Sequence, residues 1–135
     1  MNVATALKLT YQSSTKKWTV LGLKGLFSLA MAGGALANVT GQSMMIENLQ
    51  KMGYPPFLAT ILGVAYLIGL IALWQTKSIF LREWSVAGFC IALIGAVLSH
   101  NFTGQPFAES LPALVLLGLL LTAYALEKNG GSHEN

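Results

Sequence analysis

The sequence predicts an all-α integral membrane protein: an antiparallel four-transmembrane-helix bundle with a short interfacial helix between spans 1 and 2. Three observations carry this. Only 10% of the 135 residues are charged and 54% are hydrophobic, whereas soluble domains run near 25% charged and 45–50% apolar. The apolar excess is gathered into four blocks, residues 18–37, 56–74, 84–99 and 111–126, and Lys24 is the one charge inside them. The polar interruption after the first block has a helical period of its own.

A span needs about 20 apolar residues to cross a hydrocarbon core of about 30 Å. Residues 18–37 and 56–74 reach that length directly. The third block reaches it when extended back through Ile79, Phe80 and Leu81, and the fourth when extended back to Phe107. Arg82, Glu83 and Glu109 then fall in the headgroup region. Between spans 1 and 2, Met45, Leu49 and Met52 recur at i, i+4 and i+7, with Glu47, Asn48, Gln50 and Lys51 around the rest of the circumference. Gly53 and the prolines at 55 and 56 stop this helix. It is too short to span, so it is either a collar resting on the lipid boundary or a lid over a lipophilic ligand.

The chain divides into a tail of residues 1–17, a transmembrane domain of 18–126 and a second tail of 127–135, both tails expected to be mobile. His133, alone in the second tail, reads as a solvated residue. No signal peptide is expected, because the first apolar block starts at Trp18 and is longer than a signal core. Lys8, Lys16, Lys17, Lys77, Arg82 and Lys128 fall on one side of four spans and Lys51 alone on the other. That bias places both termini in the cytoplasm, with the chain in the cytoplasmic (inner) membrane. The net charge of +3 is explained by a positive rim beside anionic lipid, and no nucleic-acid partner is expected.

Helices in lipid approach through small residues and share polar groups. Lys24, Ser28, Met31, Ala35 and Asn38 form one stripe of span 1, and Ala59, Gly63, Tyr66 and Gly69 one of span 2. Gly88, Ala92, Gly95 and Ser99 line span 3, and Gly118, Thr122 and Ala125 line span 4. The predicted packing positions are Gly63, Gly88, Ala92 and Gly95. Trp18, Trp74, Trp84 and Tyr54 sit at span ends, as an interfacial aromatic belt would.

Two groups stand out as candidate chemistry. Lys24 either snorkels back to the headgroups along its four-carbon stem or turns inward with Ser28; snorkelling is the favoured reading. If it turns inward, Glu83 is its expected partner. His100, at the end of span 3, either caps that helix or relays protons and holds a polar headgroup. Cys90 is alone, so no disulfide forms within the chain. There is no Asp, no H-x-x-x-H and no Gly-rich phosphate loop, so no metal site, catalytic set or phosphoryl-transfer motif is predicted.

The segments "LGLKGLFSLAMAGGALANVTG", "MMIENLQKMGYPPFLATILGVAYLIGLIAL" and "LREWSVAGFCIALIGAVLSHNFTGQP", in that order, resemble the DoxX-like family of small four-helix membrane proteins. The most specific pieces are residues 52–56, residues 81–84 and Ser99-His100, and the likeness covers residues 18–126. Asn38 stands where many relatives would carry a lysine, so the role of that cation does not carry over. The resemblance implies the four-helix fold. It also implies two kinds of role: a membrane subunit of an oxidoreductase system, in some cases linked to quinone, or an assembly chaperone for other membrane proteins.

Two functional expectations follow. The first is a pocket open toward the outer leaflet, bounded by Ser28, Asn38, Tyr66 and His100, with residues 44–52 as lid. A quinone or other lipophile would stack on Tyr66 and take hydrogen bonds from His100 or Asn38, and no intrinsic cofactor is expected. The second is a non-enzymatic packing partner, which uses the small-residue face of span 3 to bind an oxidoreductase, another membrane protein or a second copy of itself.

Overall fold

The computed structural model describes residues 2–131, including all side chains except those of residues 9–13 and 129–131. His133 lies outside the described residues. Five α-helices follow one another: α1 (Val3–Val39), α2 (Ser43–Lys51), α3 (Phe57–Trp74), α4 (Ile79–Phe102) and α5 (Leu111–Gly131), with a 3-10 turn at Phe107–Ser110 leading into α5. No strand occurs among the described residues. Four segments are long and apolar enough to cross a membrane: Ser14–Val39, Phe57–Trp74, Ile79–Phe102 and Phe107–Lys128. The backward extensions to Ile79 and Phe107 expected from the sequence are where these helical segments begin.

α1 packs on α3 and α5, and α4 packs on α3 and α5, so the long helices form a closed antiparallel ring. One end of the bundle carries the termini and the α3–α4 turn. The other carries α2 and the α4–α5 connection.

The core is built on Phe27, which is fully buried, with Phe89 and Leu120 nearly so. Phe27 meets Phe89 edge to face at 5.2 Å between ring centroids. Gly69 makes room for that second ring: a Cβ there would lie 2.8 Å from Phe89 Cζ. Ser85, buried on α4, donates to the Gly69 carbonyl at 2.6 Å and ties α4 to α3. The outer faces are apolar too, with Leu29, Ile71 and Ile91 all more than 70% exposed. A lipid-facing surface has that composition, because hydrocarbon does not penalise it.

Three expectations are corrected. Residues 3–17 are helical, continuous with span 1, and the Asn2 side chain caps the start by accepting from the Thr5 N–H at 3.1 Å. No Gly or Pro interrupts residues 2–21, so nothing in that polar stretch stops the helix. At 37 residues, α1 is roughly 55 Å long, longer than a bilayer core. Residues 127–131, read as tail, likewise continue α5. The third correction concerns packing. Gly118, Thr122 and Ala125 point out of the bundle, and α5 packs instead through Ala113, Leu120 and Ala123. Two of those three are alanines, so small residues do line the seam, but on a different face of α5 from the stripe expected. The stripes proposed for α1 and α3 do face inward: Met31, Ala35, Ala59 and Gly63 are buried.

Candidate functional site

The α2 end holds a cavity of about 400 Å³, within the size range of small-molecule sites. Three of the four predicted contacts line it: Asn38 from the end of α1, Tyr66 from the middle of α3 and His100 from the end of α4. The apolar stripe of α2 supplies a wall, since Met45, Leu49 and Met52 all face this space. Leu49 is buried and anchors α2 to the bundle.

Two glycine caps hold this end in shape. Gly53 takes φ +82° and Tyr54 N–H returns to the Leu49 carbonyl at 2.9 Å, so α2 is closed by a Schellman-type cap before the two prolines. Gly104 takes φ +73° and Gln105 N–H returns to the His100 carbonyl at 3.0 Å. That cap folds Gln105 back over His100, where its side-chain Oε1 accepts from His100 Nδ1. With Nδ1 engaged, Nε2 of the neutral ring is the atom left to accept from a ligand. The histidine therefore belongs to the helix cap and to the cavity lining at once.

Tyr54, read from sequence as a membrane-interface aromatic, does more. Its hydroxyl lies 2.8 Å from Ser99 Oγ, which links the segment after α2 to the end of α4, and both residues line the cavity. The signal was present in the sequence only as a Tyr beside a turn, with nothing to pair it to Ser99.

Below this cavity a second space of about 460 Å³ runs between α3 and α4. The two share Leu62, Tyr66 and Ala92, so the polar end and an apolar groove meet at the Tyr66 ring. The Tyr66 ring in turn packs near Phe89, at 6.1 Å between centroids.

Ser28 is not part of this site. It lies toward the opposite end of α1 and accepts a hydrogen bond from Trp74 Nε1 at 2.7 Å. Lys24 is there too, and it does not snorkel: it is 8% exposed, its ammonium 4.9 Å from the centre of the Trp74 ring. Its carboxylate partner is Glu127, at 3.8 Å, while Arg82 binds the same oxygen at 3.1 Å. Glu83, the partner expected from sequence, is exposed and instead accepts from the Tyr124 hydroxyl at 3.4 Å. Glu127 was the acid missed, because it follows the last apolar block and so read as the start of a tail.

The predicted small-residue positions separate in the same way. Gly63 is a true contact point: a Cβ added there would lie 2.6 Å from Val39 Cγ2 and 2.8 Å from the Ala35 carbonyl oxygen. Gly88 and Gly95 have nothing within 4 Å of such a Cβ. With Ala92 they border the α3–α4 groove and the α2-end cavity rather than another helix of this chain. No group of three or more His, Cys or acidic side chains placed to hold a metal occurs among the described residues.

No curated protein and no solved structure matches the chain. Residues 22–123 match the model of the DoxX-like family, which spans the four membrane-crossing segments from within the first to within the last. Four apolar helices in a ring, a short amphipathic helix after the first, and this match over most of the length together make the chain a membrane protein of the DoxX-like family.

Proposed function

We propose that this protein is a non-catalytic membrane subunit that holds a quinone or a similar lipophile for a redox partner. The observation that supports the reading best is the α2-end cavity, where His100 and Asn38 present hydrogen-bonding groups beside the Tyr66 ring under an apolar helix. A quinone and its reduced form have matching parts: a hydroxyl to donate to His100 Nε2, a carbonyl oxygen to accept from the Asn38 amide, a flat ring for the tyrosine and an apolar substituent. The groove that continues from Tyr66 between α3 and α4 offers that substituent a path. In this reading α2 is a lid, the termini are cytoplasmic in the inner membrane, and the cavity opens toward the outer leaflet. The Lys and Arg distribution supports that orientation.

The test is the content of the purified protein. Organic extraction of wild type should recover quinone above the level of the surrounding membrane, and His100→Ala should retain roughly tenfold less, the loss of about one hydrogen bond in a dry site. Recovery of ordinary phospholipid alone from both proteins would end the proposal.

One observation favours a second reading, a protein that acts by packing against another membrane protein or a second copy. The Gly88 and Gly95 positions of α4 are open, with no neighbour of their own chain. Small residues left bare on a membrane helix suit a close helix–helix approach. Gly88→Leu should then abolish association, read as oligomeric state and co-purifying protein, while the melting temperature of the monomer stays unchanged. An assembly state indifferent to the substitution would count against this reading.

A further inference from the structure

We propose that the cleft between α1 and α5, at the end of the bundle that carries the termini, is a binding site for a phosphate-bearing anion, the headgroup of an acidic phospholipid. The site is separate from the α2-end cavity and does not depend on it.

The cleft has a volume of about 300 Å³, and its polar lining is three lysines and one acid: Lys16, Lys17, Lys24 and Glu127. The single carboxylate does not balance the lysines, because it is already engaged. Arg82 Nη1 donates to Glu127 Oε1 at 3.1 Å, and Arg82 Nη2 is held by the Gln75 carbonyl at 3.1 Å. Lys24 is left with that same oxygen at 3.8 Å, beyond hydrogen-bond length, and with the face of Trp74. An ammonium has three N–H donors, and Lys24, 8% exposed as a residue, borders the cleft. Leaving such donors unmatched in a membrane protein is costly. An anion in the cleft would supply the missing acceptors.

The geometry fits a lipid in particular. Lys17 stands seven residues, or about two helical turns, before Lys24, so both project from one side of α1. Lys17 is exposed, Lys16 half-buried and Lys24 buried, so the three lysines run from the open rim of the cleft inward. Between and beside the lysines are Val20, Leu21 and Leu126, apolar walls that suit the glycerol and acyl portion of a lipid better than a hydrated ion. Basic pockets between membrane helices recognise lipid headgroups by this combination of charge and apolar wall.

The experiment uses the full chain in dodecyl maltoside micelles. Dioleoyl phosphatidylglycerol is the probe, dioleoyl phosphatidylcholine the control and inorganic phosphate the third arm, with retention read by native mass spectrometry and stability by thermal unfolding. Wild type should retain the anionic lipid roughly tenfold more tightly than the zwitterionic one, as expected for a few lysines acting together. K16Q/K17Q, whose side chains lie at the rim, should lose that preference while keeping its melting temperature in lipid-free micelles. Lys24→Met should lose it as well. A stabilising response to phosphatidylglycerol without one to inorganic phosphate identifies the lipid as the source of the anion. An equal response to inorganic phosphate keeps the anion site but assigns it to a free ion. Equal retention of both lipids by wild type, or a preference that survives in both variants, overturns the proposal.

Discussion

Gly63→Ala should destabilise the bundle by about 1–3 kcal/mol, the usual cost of forcing extra volume into a tight contact. The methyl would arrive 2.8 Å from the Ala35 carbonyl oxygen and 2.6 Å from Val39 Cγ2. The valine tip can rotate away, but the carbonyl belongs to the α1 backbone, so α1 and α3 must separate. Gly63→Leu should prevent the packed state from forming. The control is Gly88→Ala, whose new Cβ meets nothing within 4 Å and which should leave the thermal midpoint in detergent unchanged. The consequence reaches function, because Asn38 sits between the displaced Ala35 and Val39 side of α1 and the α2-end cavity that it lines.

The second large effect concerns the ion cluster at the opposite end. Glu127→Gln should cost about 1–3 kcal/mol, since it leaves both Arg82 and the buried Lys24 without their common carboxylate. Glu83→Gln should cost less than about 1 kcal/mol, the range of exposed charges with weak partners. Combined with Lys24→Met, the two separate further. Lys24→Met and Glu127→Gln should be non-additive by about 1 kcal/mol, because they share one interaction, whereas Lys24→Met and Glu83→Gln should add. Thermal unfolding of the three single and two double variants in one detergent reads this directly. Additivity of the Lys24 and Glu127 changes would show that the 3.8 Å pair contributes nothing.

The fold was legible because a bilayer imposes run length, and run length is visible in a sequence. The helical segments of spans 3 and 4 begin at Ile79 and Phe107, where the apolar runs had to be extended to be long enough. α2 was legible by its period, with Met45, Leu49 and Met52 on one side. Composition misled at the N-terminus, where the polar residues 3–17 look like a tail although they contain no helix breaker.

The site was legible by face and not by depth. Ser28 and Asn38 do share one stripe of α1, as their spacing indicates. They are also ten residues apart, roughly 15 Å along the axis, so one cavity at the α2 end takes Asn38 and leaves Ser28 to Trp74. Lys24 was misjudged for a related reason. Its distance from Trp18 permits snorkelling, but the acid and the aromatic face that draw it inward, Glu127 and Trp74, come from α5 and α3. Tyr54 and Ser99, forty-five positions apart, meet only once α2 has folded over the bundle. Partners at such separations leave no trace in local periodicity.

The central claim is that the α2-end cavity receives a lipophilic ring, and photolabelling in native membranes tests it most directly. A photoreactive benzoquinone with an isoprenoid-like tail should, on irradiation, label the peptides that carry Met45, Leu49 and Met52 and those that carry Ala96, Ser99 and His100, residues that line the cavity. An excess of unlabelled quinone should suppress that labelling, and His100→Ala should weaken it. Labelling confined to the lipid-facing positions around Leu29, Ile71 and Ile91, and insensitive to competitor, would contradict the claim.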